Sequence, residues 1–173
     1  MLLIFTGNGK GKTTAALGQA MRAVGEGKKV LMIQFIKGPW KSGEDFSAKS
    51  LEPHFKLIKM GKGFVGIMGD KLPREEHEKA AEEALKYARQ EIESGNWNMV
   101  ILDEINNAVS LGLIPKEKVL EFIQATSYKL QAIILTGRDA PQEFIDRADL
   151  VTEMKDIKHP YYEGVKAKRG LEY

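Results

Sequence analysis

The sequence predicts an α/β fold: a single domain over residues 1–173 in which a mainly parallel β-sheet is flanked by helices. The first observation behind this is that short apolar runs alternate with longer segments of helical periodicity. The second is that four of the runs are apolar at nearly every position, as is typical of parallel strands buried on both faces. The third is a glycine-rich loop between the first run and the first helical segment.

The predicted elements follow one another without a repeat or a linker. Near-continuous apolar runs predict four strands, and weaker runs predict two more: Leu2–Phe5, Val30–Phe35, Met99–Leu102 and Ala132–Leu135, then Phe55–Met60 and Leu150–Met154. Helical periodicity, opened by proline or closed by glycine, predicts four helices. The first begins within Lys12–Thr14 and stops at Gly25–Gly27, and the others cover Arg74–Glu93, Pro115–Ala125 and Ala140–Arg147.

Three segments lack a regular period. Lys37–Pro53 and Gly61–Pro73 are long and contain glycine, so we expect irregular loops there, and loops of this length are often functional. The last segment, Lys155–Tyr173, shows no clear periodicity. His54 and His77, in a loop and in a charged helix, are expected to be exposed to solvent.

Composition excludes several classes of function. The net charge of +2 gives no reason to expect a nucleic-acid or membrane partner. The absence of cysteine excludes disulfides and thiolate metal sites. No apolar run reaches the roughly 18 residues of a membrane span, and the apolar start lacks the features of a signal peptide. A cytoplasmic location is therefore expected.

The stretch TGNGKGKTT predicts a phosphate-binding loop with an unusual glycine spacing. The usual pattern places four residues between its first glycine and the Gly-Lys-Thr. Here that position is Thr6, and the first glycine comes one residue late. Backbone N–H groups in such a loop bind phosphates. The alternative is a βα turn without a ligand. The predicted nucleotide-binding residues are Gly7, Asn8, Gly9, Lys10, Gly11, Lys12, Thr13 and Thr14.

Acidic and basic side chains follow other predicted strands. Asp103 and Glu104 end an apolar strand, and with the hydroxyl of Thr13 they predict a Mg²⁺ site, one acid binding directly and the other through water. Arg138 follows another strand and is predicted to neutralise a polyphosphate. The alternative for each is a solvated turn.

Further candidates come from the second strand and the tail. Gln34 and Lys37 follow the strand end where ligand-facing side chains gather. His159 lies in the tail stretch KHPYY, where packing and substrate contact are both open. No nucleophile–base arrangement of the Ser–His–acid kind is present in the pattern.

These motifs together resemble a known family. TGNGKGKTTAALGQAMRAVG, QFIKG, VILDE, LTGRDAP and the tail KHPYYEGVKAKRGLEY are similar, in order and spacing, to the P-loop type of ATP:corrinoid adenosyltransferase, the CobA/CobO/BtuR group of vitamin B12 biosynthesis. The resemblance covers nearly the whole chain and implies a RecA-like P-loop architecture. It implies that Co(I) of a reduced corrinoid, cobalamin or cobyrinic acid a,c-diamide, attacks the 5′ carbon of ATP. The whole triphosphate then leaves.

The resemblance also implies roles for particular residues. Lys12 and Arg138 stabilise the leaving triphosphate, while a loop aromatic residue, Phe64 here, helps displace the lower axial ligand so that Co(II) is easier to reduce. Where well-known relatives have a tryptophan two residues further on, this chain has Gly66. Val65, Ile67 or Met68 are the candidates to fill that space.

Partners and competing functions follow from the same comparison of motifs. The resemblance implies a homodimer, a reduced flavoprotein as electron donor, and an N-terminal extension that this sequence lacks. A P-loop ATPase or kinase acting on the γ-phosphate is one alternative. Others are a nucleotide- and corrinoid-binding protein without turnover and a RecA-like module on nucleic acid, against which the near-neutral charge weighs.

Overall fold

A computed structural model describes residues 1–67 and 69–171, and a six-stranded parallel sheet forms its framework. The sheet has the order β3-β2-β4-β5-β1-β6, where the strands are β1 (Leu2–Thr6), β2 (Val30–Gln34), β3 (Phe55–Lys59), β4 (Met99–Asp103), β5 (Ala132–Thr136) and β6 (Leu150–Glu153). Every neighbouring pair is parallel. The six predicted strands are confirmed, including the two weaker ones.

Six helices connect the strands. They are α1 (Lys12–Gly25), α2 (Gly43–Ser50), α3 (Arg74–Glu93), α4 (Ile105–Ser110), α5 (Lys116–Thr126) and α6 (Gln142–Ile145), and short 3₁₀ turns form at Ser127–Lys129 and Pro160–Glu163. The predictions of α1 and α3 are confirmed in position and length. The helix predicted from Ala140 begins only after Pro141, since the residue before a proline is disfavoured in helical conformation.

Both faces of the sheet are covered, which explains strands that are apolar at every position. Successive side chains of β2 point to opposite faces. Leu31 and Ile33 belong to one buried cluster with residues of α3 and α5, whereas Val30 and Met32 belong to a second cluster with Ala16 and other residues of α1. The sheet is therefore a central layer between two layers of helices.

Two helices were missed by the sequence prediction. The segment predicted to be irregular contains α2, which starts at a capping box between Ser42 and Asp45, a local signal that the sequence does carry. Helix α4 has six residues, too few to show a period, and is held by burial of Ile105 and Ala108. Tertiary packing stabilises such short helices, because in isolation they would not form.

The expectation that His77 is exposed was wrong. Only 3% of its surface is accessible, and its Nε2 lies 3.0 Å from Oδ2 of Asp70. The same carboxylate accepts hydrogen bonds from the backbone N–H groups of Gly66 and Leu72, at 2.9 and 3.0 Å. These bonds to the carboxylate hold the pKa of Asp70 below its ordinary value. One buried-edge carboxylate thus organises the loop before α3, the loop that carries Phe64.

We expect Asp70→Ala to loosen this loop while the sheet stays folded. Three hydrogen-bond donors lose a charged acceptor, which is a substantial loss for a surface segment. The measurement is limited trypsin digestion followed by mass spectrometry, in which cleavage after Lys62 and Lys71 should accelerate several-fold. Glu75→Ala, an exposed position in the first turn of α3, is the matched control and should cleave at the wild-type rate. Equal rates in both variants would contradict the role of Asp70.

Among the residues that the structure describes, no helix is long and apolar enough to cross a membrane. The carboxyl ends of the parallel strands all face the same edge of the sheet, and the loops that follow β1, β2, β4 and β5 meet there. This edge is where side chains from distant parts of the sequence come together.

Candidate active site at the carboxyl edge of the sheet

A cavity of about 890 Å³ opens at this edge, above the loop between β1 and α1. It brings together most of the predicted ligand-binding residues. Its lining includes Asn8, Gly9, Lys10, Gly11, Lys12, Thr13, Thr14, Lys37, Glu104, Arg138 and His159. Four predicted site residues are not part of the lining: Gly7, Gln34, Asp103 and Phe64.

The glycines of the loop serve two different purposes. Gly11, just before α1, has a φ of 116°, a conformation that residues with a side chain rarely adopt. Gly9 donates its N–H to the carbonyl of Met154 at 2.7 Å, and a Cβ on it would lie 2.6 Å from the carbonyl oxygen of Lys155. A Cβ on Gly7 would strike the carbonyl of Met154. The late glycine therefore lets the loop pack against the chain leaving β6.

The ammonium group of Lys12 lies over the loop itself. Its Nζ donates hydrogen bonds to the carbonyl oxygens of Gly7 and Gly9, both at 2.7 Å. Partial burial, and next the nearby Arg138, lower the pKa of Lys12. Two cations at one end of a cavity, without a carboxylate paired to either within the described residues, favour a polyanionic ligand.

Asp103 is the centre of a hydrogen-bond network beneath the cavity. Its Oδ1 accepts from the hydroxyls of Thr13 and Thr136, at 2.9 and 2.6 Å, and its Oδ2 accepts from Nε2 of Gln34 at 2.9 Å. Asp103 and Gln34 are completely buried. The buried carboxylate therefore fixes the hydroxyl of Thr13 relative to β2, β4 and β5, although β5 separates β4 from the strand that precedes the loop.

Glu104 is the carboxylate that faces the cavity. It adopts a φ of 63°, and its N–H donates to the hydroxyl of Thr136 at 2.8 Å. Burial, and then repulsion from the adjacent Asp103, raise the pKa of Glu104 to about 7. Lys37, Lys12 and Arg138 act in the opposite direction. A cavity-facing carboxylate with a proton affinity this high is suited to a bound cation.

This raised pKa predicts a pH-dependent stability. The folded protein holds the proton of Glu104 more tightly than the unfolded chain, whose value is near 4.5. The stabilising contribution is complete below pH 4.5 and is lost as the pH rises through 7. In ligand-free protein, Glu104→Gln should therefore be more stable than wild type at pH 8, on the order of 1–3 kcal/mol, and equal to it near pH 4.5.

Denaturant unfolding at the two pH values measures the difference between these proteins. Glu117→Gln is a control on the surface of α5, and its stability should change little with pH relative to wild type. A Glu104→Gln protein that gains no stability between pH 4.5 and pH 8 would contradict the raised pKa.

The other predicted residues lie around the rim. Nζ of Lys37 forms an ion pair of 2.5 Å with Glu44 of α2, another residue of the lining. Nδ1 of His159 accepts the N–H of Tyr161 at 3.2 Å, so the neutral ring carries its proton on Nε2. Tyr162 lies edge-on to His159, with 6.3 Å between ring centroids. The tail thus contributes an aromatic wall to the cavity.

Comparison with known proteins identifies the family. The family model for ATP:corrinoid adenosyltransferase BtuR/CobO/CobP matches residues 1–173. The chain belongs to this family. A corrinoid adenosyltransferase of Escherichia coli K12 is 40% identical over all of this chain and 85% of its own length. One from Salmonella typhimurium is 38% identical with the same coverage, and one from Pseudomonas aeruginosa is 38% identical over 83% of its length.

Solved structures confirm the RecA-like P-loop fold of this adenosyltransferase family member. A KaiC-like protein of Pyrococcus horikoshii aligns with a TM-score of 0.57 at 17% identity, over 89% of this chain and 71% of that one. The flagellar accessory protein FlaH of Methanocaldococcus jannaschii has the same TM-score at 12% identity, over 88% and 69%. At these identities the likeness concerns the fold alone.

The aromatic residue carried over from the family, Phe64, lies outside the cavity and beside a tryptophan. Its ring centroid is 6.1 Å from that of Trp40, and both side chains are exposed, by 46% and 62%. Gly38 and Gly63 make room for the indole, since a Cβ on either would come within 2.8 Å of it. Sequence reasoning missed Trp40, because the partners are 24 residues apart, and Met68 lies outside the described residues.

The donor set at the edge fits Mg²⁺ bound together with phosphate oxygens. Thr13 supplies a hydroxyl, Glu104 supplies a carboxylate, and Oε1 of Gln34 is buried without a hydrogen bond. Within residues 1–67 and 69–171, no cluster of three His, Asp or Glu side chains could hold a metal without such oxygens. Mg²⁺ usually takes one or two protein ligands and completes its shell with phosphate and water.

Proposed function

We propose that this protein transfers the 5′-deoxyadenosyl group of ATP to Co(I) of a reduced corrinoid. The lone pair of Co(I) forms a bond to C5′, the C5′–O5′ bond breaks, and its electron pair leaves with the triphosphate while cobalt becomes formally Co(III). The observation that carries the proposal is a cavity rich in cations and loop amides, within a chain that belongs to the ATP:corrinoid adenosyltransferases.

The residues present match what this reaction demands. Co(I) is a strong nucleophile and needs no base to activate it, so catalysis depends on stabilising a highly charged leaving group. The first amides of α1 have no partner within the helix and are available to phosphate oxygens. Lys12 and Arg138 lie at the same end of the cavity and would share the remaining charge. Bound Mg²⁺ would supply additional positive charge to the leaving oxygens.

In this proposal Asp103 acts through Thr13. Its buried carboxylate accepts the hydroxyl proton of Thr13 and so turns the oxygen lone pairs toward the cavity. Glu104 then supplies the cavity-facing carboxylate for the cation. The sequence left open which acid binds directly, and the geometry supports Glu104.

The remaining expectations stay part of the proposal. A reduced flavoprotein as electron donor, a homodimer and a cytoplasmic location rest on the resemblance and on the composition described above. The preferred corrinoid, cobalamin or a biosynthetic precursor, belongs to the same group. Exposed apolar side chains such as Trp40, Phe64 and Ile67 support contact with a large planar substrate or a protein partner on that side.

Anaerobic incubation of the protein with chemically reduced corrinoid and Mg-ATP tests the function. The expected products are a light-sensitive alkylcobalt species and inorganic triphosphate in equal amounts. Release of orthophosphate or ADP without alkylation would instead identify an enzyme acting on the γ-phosphate. Binding of both substrates without any product would identify a non-catalytic binding protein.

A further inference from the structure

Two consecutive asparagines on α4 hold the turn that follows β5. Oδ1 of Asn107 accepts the backbone N–H of Arg138 at 2.9 Å. Nδ2 of the completely buried Asn106 donates to the carbonyl of Gly137 at 3.4 Å. The peptide between Gly137 and Arg138 is therefore bound on both sides by side chains of one short helix.

The contact between α4 and this turn is close. Gly137 has a φ of 128°, and a Cβ on it would lie 2.5 Å from Oδ1 of Asn107. The turn is also tied to β1, because the N–H of Gly137 donates to the carbonyl of Phe5 at 3.1 Å and that of Ala140 to the hydroxyl of Thr6 at 3.3 Å. Its backbone is thereby fixed from two directions.

The Arg138 side chain contrasts with its fixed backbone. Its guanidinium forms no hydrogen bond or ion pair with any residue in the described ranges 1–67 and 69–171, and it lines the cavity opposite the phosphate loop. Its charge is felt at both Lys12 and Glu104. A long side chain in this state depends on its backbone for its position, since its own rotamers are otherwise free.

We propose that Asn107 is a positioning residue, whose side-chain carbonyl fixes the backbone of Arg138 so that the guanidinium reaches the triphosphate bound at the loop. This rests on the proposed function, in which Arg138 contacts that group. The amide carries no charge, whereas an aspartate in its place would accept the same N–H but add a negative charge to the cavity wall. An asparagine is thus the side chain that positions the arginine without repelling the ligand.

A double-mutant cycle on binding of inorganic triphosphate, in the presence of Mg²⁺, tests this role by calorimetry. Asn107→Ala in the wild-type background should weaken binding by about tenfold, within the range of couplings between contacting residues. In an Arg138→Ala background the same change should have almost no further effect. Lys37→Ala is the matched background, because Lys37 is a cavity cation on another wall, paired with Glu44. There the tenfold effect should persist.

Two results would overturn the inference. A loss of the same size in the Arg138→Ala background would mean that the Asn107 amide contacts the ligand directly. A loss that disappears in both backgrounds would mean a general change of the cavity, as would a large fall in the thermal unfolding midpoint of Asn107→Ala. Because the measurement needs no corrinoid, it is independent of turnover. The coupling without formation of an alkylcobalt product would leave this inference standing and refute the proposed transfer.

Discussion

Replacing Lys12 by alanine is expected to abolish adenosyl transfer. Lys12 lies over the loop, where its Nζ binds the carbonyls of Gly7 and Gly9 in the absence of ligand and is available to the triphosphate when it binds. Loss of one preorganised charge at a developing oxyanion typically costs about 100- to 1000-fold in rate, and a leaving group of this charge should lie at the upper end.

The measurement for Lys12→Ala is kcat/KM for ATP with chemically reduced corrinoid under anaerobic conditions. The defect should persist at saturating ATP, because the charge on the leaving oxygens develops during bond breaking and is larger in the transition state than in bound ATP. Lys29→Ala, an exposed lysine before β2 at the opposite edge of the sheet, is the control and should keep wild-type activity. A Lys12→Ala enzyme within about tenfold of wild type would refute the assignment of Lys12.

Replacing Phe64 by alanine should separate reduction from transfer. Transfer to corrinoid already reduced to Co(I) should continue at close to the wild-type rate. Turnover that starts from Co(II) with an enzymatic reductant should fall by at least about tenfold, equivalent to some 1.4 kcal/mol in the barrier. The physical reason is that an apolar surface beside the corrinoid favours loss of the lower axial ligand, and Phe64 with Trp40 offers such a surface.

Trp40 extends this prediction to a residue on another loop. Trp40→Ala should reproduce the Phe64→Ala pattern, and the double variant should be little worse than either single variant, because the two rings act as one surface. Tyr128→Ala removes an aromatic side chain that is 76% exposed far from the site, and it should match wild type in both assays. Equal loss in the Co(I) and Co(II) assays would refute the division of roles.

Local patterns in the sequence were enough for the framework. Buried parallel strands are apolar at every position, and α3 carries a strong helical period, so both were predicted to within about one residue. Helix α2 was missed although its capping box is a local signal, whereas α4 has no such signal and depends on the burial of Ile105 and Ala108. The buried pair of His77 and Asp70 was also missed, since exposure depends on which face of the helix meets the loop.

The candidate site divides in the same way. By itself, the sequence determined the phosphate loop, the acids after β4, the arginine after β5 and the membership of the family, because these signals are short and lie at strand ends. The tertiary structure alone decided that Asp103 lies beneath Thr13 while Glu104 faces the cavity, that Asn107 holds Arg138, and that Trp40 stands beside Phe64. These contacts join residues from different loops, and only the packing of the sheet brings such residues within bonding distance.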